Sequence, residues 1–458
     1  MVDLKKGVQY PEGNVLLRNL QKRLPVVSHG ERMFLFDHSG KRYIDASGGA
    51  LVTSLGHGCR EVVEAISQQM TKVAYVNGTQ FTNEPAEQLA ARLVEYAKPL
   101  TGGSAGALNR AAFLGSGSEA VEAAVKFARQ LWVERGKPGR AKVIARTPGY
   151  HGNTLFALSA SGRPHYQKYY GPLLTAVRLI PSTYEYRSAV TDYARDGGEH
   201  YANLLEQAIL EEGPETVAAF FVEPIIGSSA GASVPPPGYF DRVMTICRKY
   251  DVLMIADEVM CGSGRSGPFF ASEHFGFQPD ILLLGKGVSG GYIPLSAVMV
   301  KSSHLDEMKR GSGYFMHAQT FLQSPSIAAA GVATLAYYDR HQVLANGRQI
   351  GARLHELLAT QVASHPNVGF VTGRGPFAGV EFVEDKATKR PFERAKKVAE
   401  NFVAHAFDRG LIVWPNIGQA DGVNGDLVML GPPLNSSAAE IDELVDTLAK
   451  VIASFFKK

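Results

Sequence analysis

The stretch LLLGKGVSGG, residues 282–291, sets one lysine, Lys286, at the end of a leucine run and surrounds it with glycines. With Asp280 and Ile281 in front, the run is too continuously aliphatic to alternate its faces between core and solvent. It therefore reads as a strand buried on both sides, and such strands belong to parallel sheets covered by helices. A lysine there is either a surface residue opening a glycine-rich loop or an amine held at the mouth of a sheet. The second reading is the more consequential, because open α/β sheets bind ligands outside the carboxyl ends of their strands.

The rest of the chain supports the same architecture. Apolar runs at AAFLG (111–115), KVIAR (142–146), VAAFFVEP (217–224), VLMIAD (252–257) and LSAVMV (295–300) alternate with longer helical patterns such as SEAVEAAVKFARQLWVERG. That alternation predicts an α/β fold with a mostly parallel seven-stranded sheet sandwiched by helices. Residues 56–330 read as this large domain, with residues 1–55 and 331–458 building a smaller α+β domain from the two ends. In the first segment a short helix is expected, then a hairpin around His38, Ser39 and Gly40. In the last, HPNVGFVTGRGPFAGVEFVE reads as antiparallel strands, FERAKKVAENFVAHAFDRG as a helix, and WPNIGQADGVNGDLVMLGPP as a long loop feeding a last strand.

Composition excludes several classes. A length of 458 residues, 45% apolar and 20% charged, suits an ordinary globular protein of more than one domain. The net charge of +3, from 47 basic and 44 acidic residues, is too small for a nucleic-acid or membrane-surface binder. No apolar run approaches the roughly 18 residues of a membrane span, and the first residues, MVDLKKGVQYPEGN, lack the apolar core of a signal peptide. Cys59, Cys247 and Cys261 are too few and too scattered for a disulfide framework or a metal site. A reduced, cytoplasmic protein without a metal is expected.

Four strand ends carry unusual chemistry. Gly115, Ser116, Gly117 and Ser118 join a strand to a helix whose first turn holds Glu119; this is either a capping sequence or a cradle for a phosphate at a helix N-terminus. Asp257 ends VLMIAD, with Val259 two residues on and facing the same way. A carboxylate there needs a cationic partner, either a side chain or a protonated ring. Lys286 ends the leucine run, where desolvation makes an amine a better nucleophile. Tyr150, in TPGYHGNT (147–154), is placed to cover the sheet edge or to stack on a flat ligand. Singly each signal is weak. Together they describe pyridoxal 5′-phosphate, which needs a Schiff-base lysine, a carboxylate on its ring nitrogen, a phosphate site and ring packing. Neither a GxGxxG turn after the first strand nor a GxxxxGK[ST] loop occurs.

At this level of detail the sequence resembles the class III (omega) aminotransferases of pyridoxal-phosphate fold type I. The resemblance runs from YIDASGGALVTSLGHG to LVMLGPPL and is carried by FLGSGSEAVEAAVKFAR, GYHGNT, FFVEPIIG, ICRKYDVLMIADEVMCGSGRSG, FGFQPDILLLGKGVSGGYIPLSAV and HAQTFLQSP. It implies that Lys286 forms the Schiff base and shuttles the substrate proton, and that Asp257 keeps the ring nitrogen protonated. It implies that Tyr150 and Val259 pack on the two ring faces, that Ser116, Gly117 and Ser118 hold the phosphate, and that Glu223 lies near the cofactor. Thr320 matches a threonine that reaches the phosphate of a neighbouring subunit, so a homodimer with shared active sites is implied, with further pairing into tetramers left open.

The departures concern substrate. Where the family often carries carboxylate-binding arginines, this chain has Asn153, Trp414 and Met429, and an indole does not replace a bidentate guanidinium. Arg163, His165, Lys168 and Arg265 are left as candidates for binding a keto-acid carboxylate. Ala50 and Gln80 stand near positions that are often Trp and Phe, which predicts a wider, more polar pocket. The expected reaction moves an amino group from a primary amine or ω-amino acid to a keto acid such as pyruvate or 2-oxoglutarate. The alternatives are a decarboxylase, aminomutase or racemase on the same scaffold, and a non-catalytic relative. Cys261 reads as an inert buried thiol, and His57, His317 and Arg374 as structural.

Overall fold

The computed structural model describes residues 3–101 and 107–457. Its centre is a seven-stranded sheet in the spatial order Leu108–Leu114, Ser296–Lys301, Ile281–Leu284, Leu253–Asp257, Val217–Val222, Lys142–Thr147 and Arg178–Pro181. Five neighbouring strands run parallel; only Ser296–Lys301 runs against its two partners. The strands predicted from apolar runs are all present. Val217–Val222, Leu253–Asp257 and Ile281–Leu284 are buried at every position, as two-sided helical cover requires.

Helix Gly117–Glu134 packs one face of the sheet through Ala120, Val121, Ala124, Phe127, Leu131 and Trp132. Trp132 is wholly buried and its Nε1 donates to the Ala218 carbonyl at 2.9 Å, so the largest apolar side chain of this face also meets its polar requirement. Helices Tyr193–Glu212 and Tyr239–Tyr250 cover strands from the opposite side.

Two four-stranded sheets flank this body. One orders Val27–Glu31, Phe34–Asp37, Arg42–Asp45 and Leu411–Ile412; the last two pair in parallel, joining the two ends of the sequence. The other orders Val368–Gly373, Ala378–Phe382, Asp426–Leu430 and Trp414–Ile417. One core holds Met33 and Ile44 against Phe382, Phe402, Leu430 and the helix Ala438–Phe456.

Four expectations need correction. Residues 3–26 contain no helix. The expected helix from FERAKK starts only at Val398, because Lys397 sits at φ 48° after a 3₁₀ turn. Trp414–Ile417 is a strand rather than loop: it pairs with Asp426–Leu430 on a sheet edge, where a proline is tolerated. Arg178–Pro181 was not anticipated, being four residues ending in proline.

Candidate functional site

The carboxyl ends of Lys142–Thr147, Val217–Val222, Leu253–Asp257 and Ile281–Leu284, with the N-terminus of helix Gly117–Glu134, converge on a cavity of about 600 Å³. Its lining includes Ala50, Ser116, Gly117, Ser118, Tyr150, Asn153, Glu223, Asp257, Val259, Lys286 and Trp414. Residues far apart in sequence thus meet because a parallel sheet delivers all its strand ends to one edge.

Lys286 leaves its strand in the left-handed region, at φ 47°, a conformation costing about 1 kcal/mol for a residue with a side chain. The turn is pinned by Ser289, whose hydroxyl donates to the carbonyls of Lys286 at 3.3 Å and Ile293 at 2.7 Å, and by the Ser54 hydroxyl, 3.0 Å from the Gly287 carbonyl. The residue lines the cavity. Burial pushes its amine down to about 8, against the pull of Asp257 and Glu223, so more of it is neutral and nucleophilic near neutral pH than of an ordinary lysine.

Asp257 is buried and held from two sides. One oxygen accepts from the Val259 N–H at 3.0 Å, and the other lies 2.7 Å from Nδ1 of His151. His151 is itself buried, edge-on to Phe221 with ring centroids 4.5 Å apart. The pairing of His151 with a residue 106 positions away has no local signature in the sequence. Glu223 is buried and accepts from the Tyr150 N–H at 3.0 Å and the Gly227 N–H at 2.7 Å; burial raises its pKa.

The glycine–serine turn is a helix cap that also lines the cavity. Ser116 caps the helix, accepting from the Glu119 N–H at 3.3 Å, while the Glu119 carboxylate accepts from the Gly115 N–H at 2.7 Å. The same turn faces the cavity. Gly117 is required by close packing: a Cβ there would lie 2.8 Å from Val259 Cγ1, and one at Gly285 would lie 3.0 Å from the same atom. Val259 therefore wedges between the helix start and the lysine turn. The Ser118 hydroxyl accepts from the Asn153 N–H at 3.0 Å and donates to its side-chain oxygen at 3.0 Å.

Gln80 and Thr320 stand apart from this cavity. Both are exposed, on adjoining loops tied by the Asn83 amide donating to the Gln323 carbonyl at 2.7 Å. Of the four candidate cations, Arg163 and His165 line the cavity and Lys168 and Arg265 do not. Arg265 is buried elsewhere and donates to the Pro432 carbonyl at 2.6 Å and the Pro376 carbonyl at 3.3 Å. Cys261 is buried, its thiol pushed up by burial, in keeping with an inert role. Among the described residues no cluster could hold a metal ion, and no helix is long and apolar enough to cross a membrane.

The class-III aminotransferase family pattern matches residues 18–452. An uncharacterized aminotransferase of Bacillus subtilis, YodT, is 37% identical over 438 residues, covering 96% of this chain and 97% of that protein. A taurine–pyruvate aminotransferase of Bilophila wadsworthia is 35% identical, covering 94% of this chain and 92% of that one. The crystal structure of the omega transaminase from Pseudomonas jessenii, in complex with PMP, superposes with a TM-score of 0.87 at 30% identity, over 95% of this chain and 94% of that one. Aminotransferases of this class use pyridoxal phosphate, and the cavity meets that group's needs: a lysine amine of lowered pKa, a braced carboxylate, a helix N-terminus, and glycines where a side chain would intrude. With a family match across nearly its whole length and a fold shared with a solved transaminase, the chain belongs to the class-III aminotransferases.

Proposed function

We propose that this protein transfers an amino group from a primary amine or ω-amino acid to a keto acid such as pyruvate or 2-oxoglutarate, using pyridoxal 5′-phosphate held in the cavity. The observation that carries the reading is the placement of Lys286, its amine desolvated, in the same cavity as Asp257 and the start of helix Gly117–Glu134. When bound, the cofactor supplies an electron sink for the bond broken at the amine-bearing carbon.

The chain's own residues do the rest. The first-turn N–H groups at Ser116, Gly117 and Ser118 attract the phosphate, aided by the helix dipole. Tyr150 and Val259 enclose the ring. Asp257, its carboxylate oriented by His151, holds a proton on the ring nitrogen, because a buried carboxylate strongly favours a cation beside it. Lys286 Nζ would anchor the group and move a proton to and from the reacting carbon. Glu223, capped by two backbone N–H groups, shapes the floor near Tyr150. Trp414, Ala50 and Asn153 bound the substrate side.

The assembly is proposed as a homodimer with shared sites. Exposed Phe81, Tyr314, Met316 and Phe321, at 64%, 71%, 70% and 56% exposure, surround the loops bearing Gln80 and Thr320, which supports a partner covering them and presenting its threonine to this cavity. Division into segments 1–55, 56–330 and 331–458 and a cytoplasmic location are part of the same reading; the parallel pairing of Leu411–Ile412 with Arg42–Asp45 supports the first.

The test is amine transfer itself. Stoichiometric consumption of a keto acid with appearance of its amino acid is expected. Turnover of an amine or amino acid without an acceptor would instead indicate decarboxylation, a mutase shift or racemisation.

A further inference from the structure

Aminotransfer to a keto acid requires a cation for the acceptor's carboxylate, and the usual positions offer Asn153, Trp414 and Met429. We propose that Arg163 binds that carboxylate, an inference that rests on the aminotransferase reading and names the acceptor side of the same site. Arg163 lines the cavity with Tyr150, Ser228 and Lys286. Its guanidinium carbon sits 4.8 Å from the centre of the Tyr150 ring, and one terminal nitrogen donates to the Ser228 hydroxyl at 2.9 Å. Its Nε is buried without a hydrogen-bond partner, and no carboxylate of the described residues lies within ion-pair distance of Arg163.

That combination points to a ligand. Burial pushes its pKa down from the usual range, yet a guanidinium stays charged, so a desolvated cation lacking a counterion carries a cost that an incoming anion relieves. Its place over the Tyr150 ring and its anchored terminal nitrogen restrict the movement of the fork. Less ordering then remains to be done when the carboxylate binds. The nearby carboxylate of Glu223 offsets part of that cost at a distance, but it makes no ion pair with Arg163 and its oxygens accept from the N–H groups of Tyr150 and Gly227. The other candidates fail on place or form. Arg18 and His165 are exposed at the rim, burial lowers the His165 pKa, Lys168 is off the cavity, and Arg265 is spent on backbone carbonyls.

The experiment loads the protein with pyridoxamine phosphate, so no donor need be known, and follows recovery of the yellow cofactor in a single turnover. Pyruvate (or 2-oxoglutarate, if the wild type prefers it) is compared with propanal, an acceptor without a carboxylate. For Arg163→Gln the apparent second-order rate constant with the keto acid should fall on the order of a hundredfold, as for loss of one partner in a desolvated charge pair. With propanal it should stay within about threefold, and Arg163→Lys should recover part of the keto-acid rate. An unchanged keto-acid rate in Arg163→Gln, or an equal loss with both acceptors in both variants, would overturn the proposal. A wild type that recovers colour with neither keto acid would instead remove the aminotransferase reading, and this inference with it.

Discussion

Lys286 combines two unfavourable properties, a left-handed backbone and a desolvated amine, and a site explains both. Lys286→Ala should abolish turnover while leaving the far-ultraviolet circular dichroism unchanged; an active variant would remove the mechanism. The cost of burial gives a second prediction. Because the folded-state pKa lies below that of the unfolded chain, the unfolded state binds more protons between about 8 and 10.5, and stability rises with pH across that window. Cofactor-free Lys286→Met should therefore unfold at higher temperature than wild type at pH 7, by at most about 3 kcal/mol in stability, discounted for water in the cavity. Its advantage should shrink by pH 10. His151→Phe, which leaves one Asp257 oxygen without its side-chain partner, should lower kcat/KM about tenfold or more. Lys286 and Asp257 were legible because each ends an uninterrupted apolar run. The task of His151 was not, and Arg163 could be named only as one of four candidate cations, since what sets each apart is a partner across space, Asp257 in one case and Tyr150 with Ser228 in the other.

Helix Gly117–Glu134 ties the fold to the site, with its apolar face on the sheet and its first turn on the cavity. Ser116→Ala removes the cap and should cost about 1 kcal/mol in denaturant unfolding. Gly117→Ala should be worse for function than for folding. Its Cβ would meet Val259 Cγ1 at 2.8 Å, so the helix start must shift away from the cavity, and retention of pyridoxal phosphate on dialysis should weaken. The strands of the large sheet could be read because burial on both faces leaves an aliphatic run with no competing pattern. Trp414–Ile417 could not, because a proline-bearing edge strand gains its identity from its partner Asp426–Leu430. Nor could the break at Lys397, where a residue with no special turn preference takes φ 48° inside an otherwise helical pattern.

At the scale of the molecule, both ends of the chain build one sheet and one core, while the loops carrying Gln80 and Thr320 stay exposed beside large apolar side chains. If a partner covers them, wild type should sediment at twice its chain mass, and Met316→Asp with Phe321→Asp should shift it toward monomer with loss of activity. Pairing of the C-terminal edge of the chain with its N-terminal hairpin was only partly legible, since a two-residue strand such as Leu411–Ile412 leaves no pattern. The central claim is that Lys286 and its surroundings hold pyridoxal phosphate for amine transfer. Its most direct test is the visible absorption spectrum of the purified protein, recorded with added pyridoxal phosphate, then with a panel of amines, then with pyruvate or 2-oxoglutarate. The account predicts a yellow protein that bleaches with at least one amine and recovers with a keto acid; a protein that gains no visible band when pyridoxal phosphate is added would contradict it.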